Sequence, residues 1–431
     1  MRGHDIEAPV RERDAAIPRL PGDAAVPLLA EGYGYGARRF ERLGSDAFRT
    51  RLVGLPVTFV RGAEAARFCA EGDRFSRTAA MPASVLHSLQ DEGSVQTLAG
   101  DAHRSRKALF LDLLDGSGRE RMRSLLREEW DAALEDWQGA DTVRLHEAVA
   151  EVLTRAACRW AGLPLDDDAA DARTAEFLAM LDGAGAFGPP NWRGRLRRRA
   201  TERWAQERVR DARDGNRGAA LERLLTHRDA DGRGLNDEVA TVELLNLLRP
   251  TVAVGRFAVF AALALHQHPA WAERFRSGDE EHLRGFVQEV RRTAPFFPLI
   301  AGRATHELEW RGERFAPGAL VALDIFATHR DARLWREPLR FRPERHAATG
   351  GSDDHRAHAV NALIAQGAGD DLATSHRCPG EPLAIELLEE IVRLLTRRMT
   401  YEVPAQDLGV DLRRFPTLPR SGFLMTEIRR T

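Results

Sequence analysis

The chain has 431 residues, a formal net charge of -2 and a hydrophobic fraction of 43%. That length suits one large or two ordinary domains around a sizeable core. The charge balance carries no nucleic-acid signal, and Arg tracts such as Arg195-Leu196-Arg197-Arg198-Arg199 read as a solvated helix face. Three cysteines, Cys69, Cys158 and Cys378, make no disulfide framework and fit a reducing, cytoplasmic setting.

Met1 to Arg19 is charged and lacks an apolar signal region. Residues 51–60 read as a short strand pair. From about Ala63 to Phe296 the pattern is mostly helical, with amphipathic stretches at 101–114, 119–138, 144–161, 169–182 and 196–213. A long helix is expected from about Asn236 to His266, with Asn236 as N-cap and Asp237-Glu238 in an acidic first turn. Its apolar run, Leu244 to Leu265, contains Arg249, Pro250 and Arg256. Each Arg at mid-membrane would cost about 2.5–3.5 kcal/mol, so a buried helix is expected and no membrane span.

After Pro298 the character changes. Glu307 to Phe315 reads as a hairpin turning at Gly312, and Ala319 to Leu323 as a buried strand. The expected architecture is mainly α, a single domain over 1–431 with small sheets at the two ends and irregular segments after the last helix.

The chemistry concentrates late in the chain. Cys378 lies in Ser375-His376-Arg377-Cys378-Pro379-Gly380-Glu381, after the Gly-rich Gln366-Gly367-Ala368-Gly369 and before an apolar helix, Leu383 to Leu395. A cysteine on a loop before a helix N-terminus is expected to have a lowered pKa. Thiolate ligation is what a haem-thiolate oxidase needs to cleave an O–O bond. Upstream, Glu289 and Arg292 lie three apart and share a helix face. Phe341-Arg342-Pro343-Glu344-Arg345 follows them.

A helical Glu-x-x-Arg, then Phe-x-Pro-x-Arg, then a Gly-rich cysteine loop resembles the cytochrome P-450 superfamily over about 281–395. The resemblance implies the cytochrome P-450 fold, with haem b buried between the long central helix and the cysteine loop. It implies Cys378 as axial ligand of the haem iron, and Glu289, Arg292 and Arg345 as a structural ion-pair cluster beneath the haem. His346 stands where an aromatic residue often follows, and the loop from Gly369 to Cys378 is longer than in most members.

Most relatives carry an acid and an alcohol at the middle of the long helix. Here the segment reads Glu243-Leu244-Leu245-Asn246-Leu247-Leu248-Arg249-Pro250-Thr251-Val252. Arg249-Pro250 resembles the bacterial fatty-acid peroxygenase branch, and the likeness then covers nearly the whole chain. A helical proline removes one hydrogen bond and pushes on the carbonyl of Asn246, so a local opening is expected. A buried guanidinium calls for an anionic partner, and its planar fork suits a carboxylate. That partner is an internal protein carboxylate or the carboxylate of a substrate.

The branch implies the second, with hydrogen peroxide as co-substrate. Heterolysis of the O–O bond moves a proton between its two oxygens, which needs an acid–base group within hydrogen-bond reach. A fatty-acid carboxylate held by Arg249 would be that group, and oxidation would fall at the alpha or beta carbon. The expected activity is peroxide-dependent fatty-acid hydroxylation with no obligatory reductase. The alternatives are a fatty-acid decarboxylase forming terminal alkenes, a reductase-dependent monooxygenase, and a non-catalytic haem protein that binds fatty acids.

The resemblance also implies haem-propionate contacts for Arg77, His103 and Lys107. His103 and Lys107 are four apart on one predicted helix, and Lys107 is the single Lys of the chain. Gln96 falls where branch members carry Gln or His, which implies hydroxylation for Gln and decarboxylation for His. Three pocket positions depart from the branch: Gln90 replaces a common aromatic, and Phe187 and Phe297 replace smaller residues.

Overall fold

The computed structural model describes residues 16–80, 93–185, 188–215, 218–346 and 361–431. Its axis is the helix Asp237–Gln267. The Asn236 side chain accepts the Val239 N–H at 2.8 Å, and Asp237 and Glu238 occupy the first turn. There they meet free N–H groups and the positive end of the helix dipole. This helix is long and apolar enough to cross a membrane, but it is buried inside the protein. Between Ala240 and Leu265 only Pro250 is exposed.

The opening expected around Pro250 does not interrupt the helix, which runs on to Gln267. Packing holds both sides of the break. Leu244, Leu245, Leu248 and Val252 share one apolar cluster with Val149, Leu153, Leu387 and Leu388. One missing hydrogen bond is too little to unwind a segment anchored this way.

The helices expected from periodicity form as Gly100–Leu113, Gly116–Gly139, Leu145–Ala161, Asp167–Gly183 and Pro189–Arg213. Leu145–Ala161, Pro189–Arg213, Leu283–Thr293 and Glu381–Arg393 all pack on the central helix. Two small residues allow one close crossing. A Cβ on Gly194 would lie 2.7 Å from the Ala179 carbonyl oxygen, and one on Gly183 would lie 2.9 Å from that of Pro190.

The sheets differ from expectation. The early and late strands do not form separate sheets at the two ends. Leu55–Val60 pairs antiparallel with Ala47–Leu52 on one side and parallel with Leu320–Asp324 on the other. Leu320–Asp324 is buried along its whole length and also pairs with Leu299–Ala304, so it is an interior strand. Arg19–Asp23 and Phe75–Ser76 complete the six-stranded sheet at its edges. Leu308–Trp310 and Glu313–Phe315 form the expected hairpin around Gly312. The tail is more regular than expected: Met399–Glu402 pairs with Leu424–Arg430, which also pairs with Val143–Arg144.

Gly194→Val should force the crossing helices apart and cost about 1–3 kcal/mol, the usual penalty for overpacking. Urea unfolding followed by far-UV circular dichroism measures it; an unchanged midpoint would show that the crossing tolerates a side chain.

Candidate active site

Gly367 and Gly369 have φ of +105° and +122°, and a Cβ on Gly369 would sit 2.4 Å from the Ser375 side chain. Only glycine fits that turn. The Cys378 N–H donates to the Gln366 carbonyl at 2.9 Å, and the Glu381 N–H donates to the Cys378 carbonyl at 3.2 Å. The helix Glu381–Arg393 begins at once. The thiol pKa is not lowered as its place before a helix led us to expect. Burial pushes the Cys378 thiol up, and the Gly380 N–H, Lys107 and Arg77 only partly oppose it. A coordinated metal cation is what removes the proton from such a thiol.

Two adjacent arginines hold two buried carboxylates, and one of them, Arg291, reaches the cysteine loop. Glu289 is fully buried and accepts from Arg292 at 2.7 and 2.8 Å, from Arg345 at 3.2 Å and from the Arg342 N–H at 2.9 Å. His346 Nε2 lies 2.9 Å from the same carboxylate. Arg292 also donates to the His329 and Pro338 carbonyls at 2.7 and 2.9 Å. Burial alone would raise the Glu289 carboxyl, but bonds from Arg292 and His346 hold it down to about 2. Arg291 turns the other way and pairs with buried Glu381 and the Gln366 amide. Arg377 pairs with the other oxygen of Glu381. Sequence reasoning missed Arg291, Glu381 and Gln366, although all three stand inside the motifs.

On the loop's other flank the cations gather. Lys107 Nζ donates to the carbonyls of Ser375 and, at 2.6 Å, Arg377. Arg77 donates to the His376 carbonyl at 3.1 Å. The His103 and His376 rings lie 4.0 Å apart. Burial, with Lys107 and Arg77 nearby, depresses His103 to about 4, and burial lowers Lys107 to about 8. Buried groups that hold their protons this weakly would be relieved by anions among them. A cysteine thiol beside such a cluster fits haem, whose iron takes the thiolate and whose two carboxylates take the cations. His376 was missed, and its place two residues before Cys378 was the available signal.

Across the central helix the polar groups form a chain. Arg249 is buried and donates to Asn246 Oδ1 at 2.9 Å. Asn246 Nδ2 donates to Glu243 at 2.8 Å and to Gln96 Oε1 at 3.3 Å. Glu243 also accepts from Arg106 at 2.6 Å and from the Val95 N–H at 2.8 Å. Arg106 then pairs with Asp229 through two bonds, one of 2.9 Å. Sequence reasoning missed Glu243, Asn246 and Arg106. Phe297 is exposed, 4.4 Å from Phe296, which meets Phe257 on the central helix. Gln90 and Phe187 lie outside the described residues.

The Glu289 geometry sets a pH dependence. Its folded pKa of about 2 lies below the ordinary 4.5, so its contribution is complete above pH 4.5 and is lost as pH falls toward 2. That contribution is about 3 kcal/mol by linkage. Glu289→Gln should be less stable than wild type at neutral pH, and the difference should narrow on acidification. Urea unfolding midpoints at stepped pH test this; a constant gap would refute it.

The comparisons with known proteins agree with this geometry. The family model for cytochrome P450 matches residues 281–425. The solved structure of cytochrome P450EX alpha (CYP152N1) with myristic acid superposes with a TM-score of 0.90 at 36% identity, covering 97% of this chain and 100% of that one. A variant of cytochrome P450 OleT in complex with arachidonic acid gives a TM-score of 0.90 at 30% identity, over 97% and 99% of the two chains. Cytochrome P450 CYP82J17 of Trigonella foenum-graecum is 28% identical over 164 residues, 37% of this chain and 30% of that relative. The chain thus matches less than a third of the length of this curated relative. With the motifs, the fold and near-complete superposition in hand, the chain belongs to the cytochrome P450 family, in the branch of the CYP152 structures, and its cofactor is haem.

Proposed function

We propose that this protein uses hydrogen peroxide to hydroxylate fatty acids at the alpha or beta carbon, with the substrate's own carboxylate, held by Arg249, as the acid–base group. The observation that carries the reading is a buried arginine at the middle of the central helix, beside the exposed Pro250. CYP152 structures holding myristic and arachidonic acid support the substrate class.

Cys378 would ligate the haem iron, Arg77, His103 and Lys107 would hold its carboxylates, and the group would supply the redox centre for peroxide. The rest falls to the chain. Arg249 presents a fork that binds a carboxylate in one orientation, which places the adjoining carbons for attack. No carboxylic acid follows it, because Arg249-Pro250 occupies those positions. The next hydroxyl, Thr251 Oγ1, donates to the Leu247 carbonyl at 2.9 Å. A substrate carboxylate on Arg249 is therefore the group placed to move a proton. Peroxide brings oxygen already reduced to the peroxide level and is itself reduced to water as the C–H bond is oxidised, so no reductase is required.

Purified protein, hydrogen peroxide and a panel of fatty acids, without reductase, should yield hydroxy acids. Turnover that needs a reductase and a nicotinamide cofactor, with none from peroxide, would overturn the reading, and terminal alkenes would favour decarboxylation. Cys378→Ala should lose the reduced carbon monoxide spectrum of thiolate-ligated haem.

Arg249→Ala should keep haem and lose about 100-fold or more in activity, the scale of a charge-assisted pair that also positions the reactant. Arg249→Lys should rescue only in part, because an ammonium lacks the fork. Fatty-acid methyl esters should be poor substrates alone, and a short carboxylic acid added as a decoy should let a non-carboxylate substrate react. Esters that react as fast as free acids would remove the carboxylate from the mechanism.

A further inference from the structure

Glu243 lies too deep to bind substrate, yet it organises the groups that do. It is fully buried. One carboxylate oxygen accepts from Arg106 at 2.6 Å and from the Val95 N–H at 2.8 Å; the other accepts from Asn246 Nδ2 at 2.8 Å. Asp229 holds the far side of Arg106 and is partly exposed.

Burial pushes the Glu243 carboxyl up, while Asn246, Arg106 at 2.6 Å and the Val95 N–H at 2.8 Å oppose it. With a guanidinium and a backbone N–H on one oxygen we take it as the carboxylate, which only accepts hydrogen bonds. Asn246 must therefore turn its NH2 toward Glu243, which puts its carbonyl on the opposite edge. There Arg249 donates to it at 2.9 Å. A guanidinium only donates, so both neighbours require the same orientation of the amide. The second hydrogen of Asn246 Nδ2 goes to Gln96 Oε1 at 3.3 Å. That points the Gln96 carbonyl at Asn246 and its NH2 to the opposite edge of the amide. The Val95 N–H bond to Glu243 fixes the backbone next to Gln96.

We propose that Glu243 is a positioning residue which, through Asn246, sets the direction of the side-chain amides so that Gln96 meets the carboxylate on Arg249 as an N–H donor. The inference rests on the reading of Arg249 as the carboxylate anchor. Arg249 and Gln96 then both meet the ligand as donors, which favours a deprotonated acid over an ester or an alcohol. Glutamine at 243 would remove that polarity, because a neutral amide can donate to Asn246 as well as accept from it.

The test is a double-mutant cycle on myristate affinity, measured by isothermal titration of the haem-loaded protein. The proteins are wild type, Glu243→Gln, Gln96→Leu and the double variant. Gln96→Leu should weaken binding about 10-fold or more, the scale of one hydrogen bond to a charged group. Glu243→Gln should weaken it comparably where Gln96 is present and little where it is absent. Independent, multiplicative losses would mark a merely structural role and overturn the proposal.

If Glu243→Gln does not accumulate as a haem protein, position 96 carries the test alone. Gln96→Glu offers only acceptors and should bind myristate more weakly than Gln96→Leu; equal or tighter binding would overturn the proposal. Arg249→Ala is measured alongside. If it leaves affinity unchanged, the anchor reading fails. If it weakens binding while the cycle is multiplicative, only the role of Glu243 fails.

Discussion

A carboxylate taken out of water must find cationic partners or give up its charge. Among the buried glutamates, three beside the site show that condition: Glu243, Glu289 and Glu381 are 0%, 0% and 3% exposed. Each is met by an arginine from another position: Arg106, Arg292 and Arg291 respectively. Removing one partner of such a pair costs about 3–5 kcal/mol, which exceeds most single packing contacts. Two of the pairs, Glu243 with Arg106 and Glu381 with Arg291, join different helices and so constrain how those helices face one another, while Glu289 with Arg292 lies within one helix and gathers the segment around Arg342 to His346.

The pairs differ in reach. Glu381 is satisfied by Arg377 of the cysteine loop and by Arg291, which also bonds Gln366, while Glu289 gathers Arg342, Arg345 and His346. Glu243 lies on the other side of the site and passes its demand for donors through Asn246 toward Arg249 and Gln96. The helix Gly100–Leu113 joins the two regions. His103 and Lys107 reach the cysteine loop, while Arg106, one turn along, reaches Glu243. The same helix thus serves both the haem side and the substrate side.

Much of this was legible in the sequence because it is local or repeated by motif. Helical periodicity placed the long amphipathic segments, and the Asn236 cap marked the start of the central helix to within a residue. Glu289 with Arg292 is a three-residue spacing on one helix. What escaped was long-range. Arg106 and Glu243 are 137 positions apart, and nothing local says that they touch. The parallel pairing of Leu55–Val60 with Leu320–Asp324 has no turn signal, and Met399–Glu402 is too short to show alternation against its charged surroundings. The Cys378 thiol was misjudged because burial depends on the folded chain, whereas helix-terminus geometry reads from the sequence. Pro250 removes one bond from its helix, and the packing that carries the helix on to Gln267 is not written in that local sequence.

Arg291 and Arg292 stand side by side yet serve different carboxylates, one on the cysteine helix and one on their own. Successive helical residues point about 100° apart, so this division of labour depends on the reading frame of a single turn. Substitution there would lose one tether. Insertion or deletion of one residue before Glu289 would rotate Arg291 away from Glu381 and, at the same time, turn Glu289 with Arg292 away from Arg345 and the Arg342 N–H. The segment Leu283–Thr293 is therefore far less tolerant of a change in length than of a change in identity, unlike the hairpin Leu308–Phe315, whose turn lies at the surface.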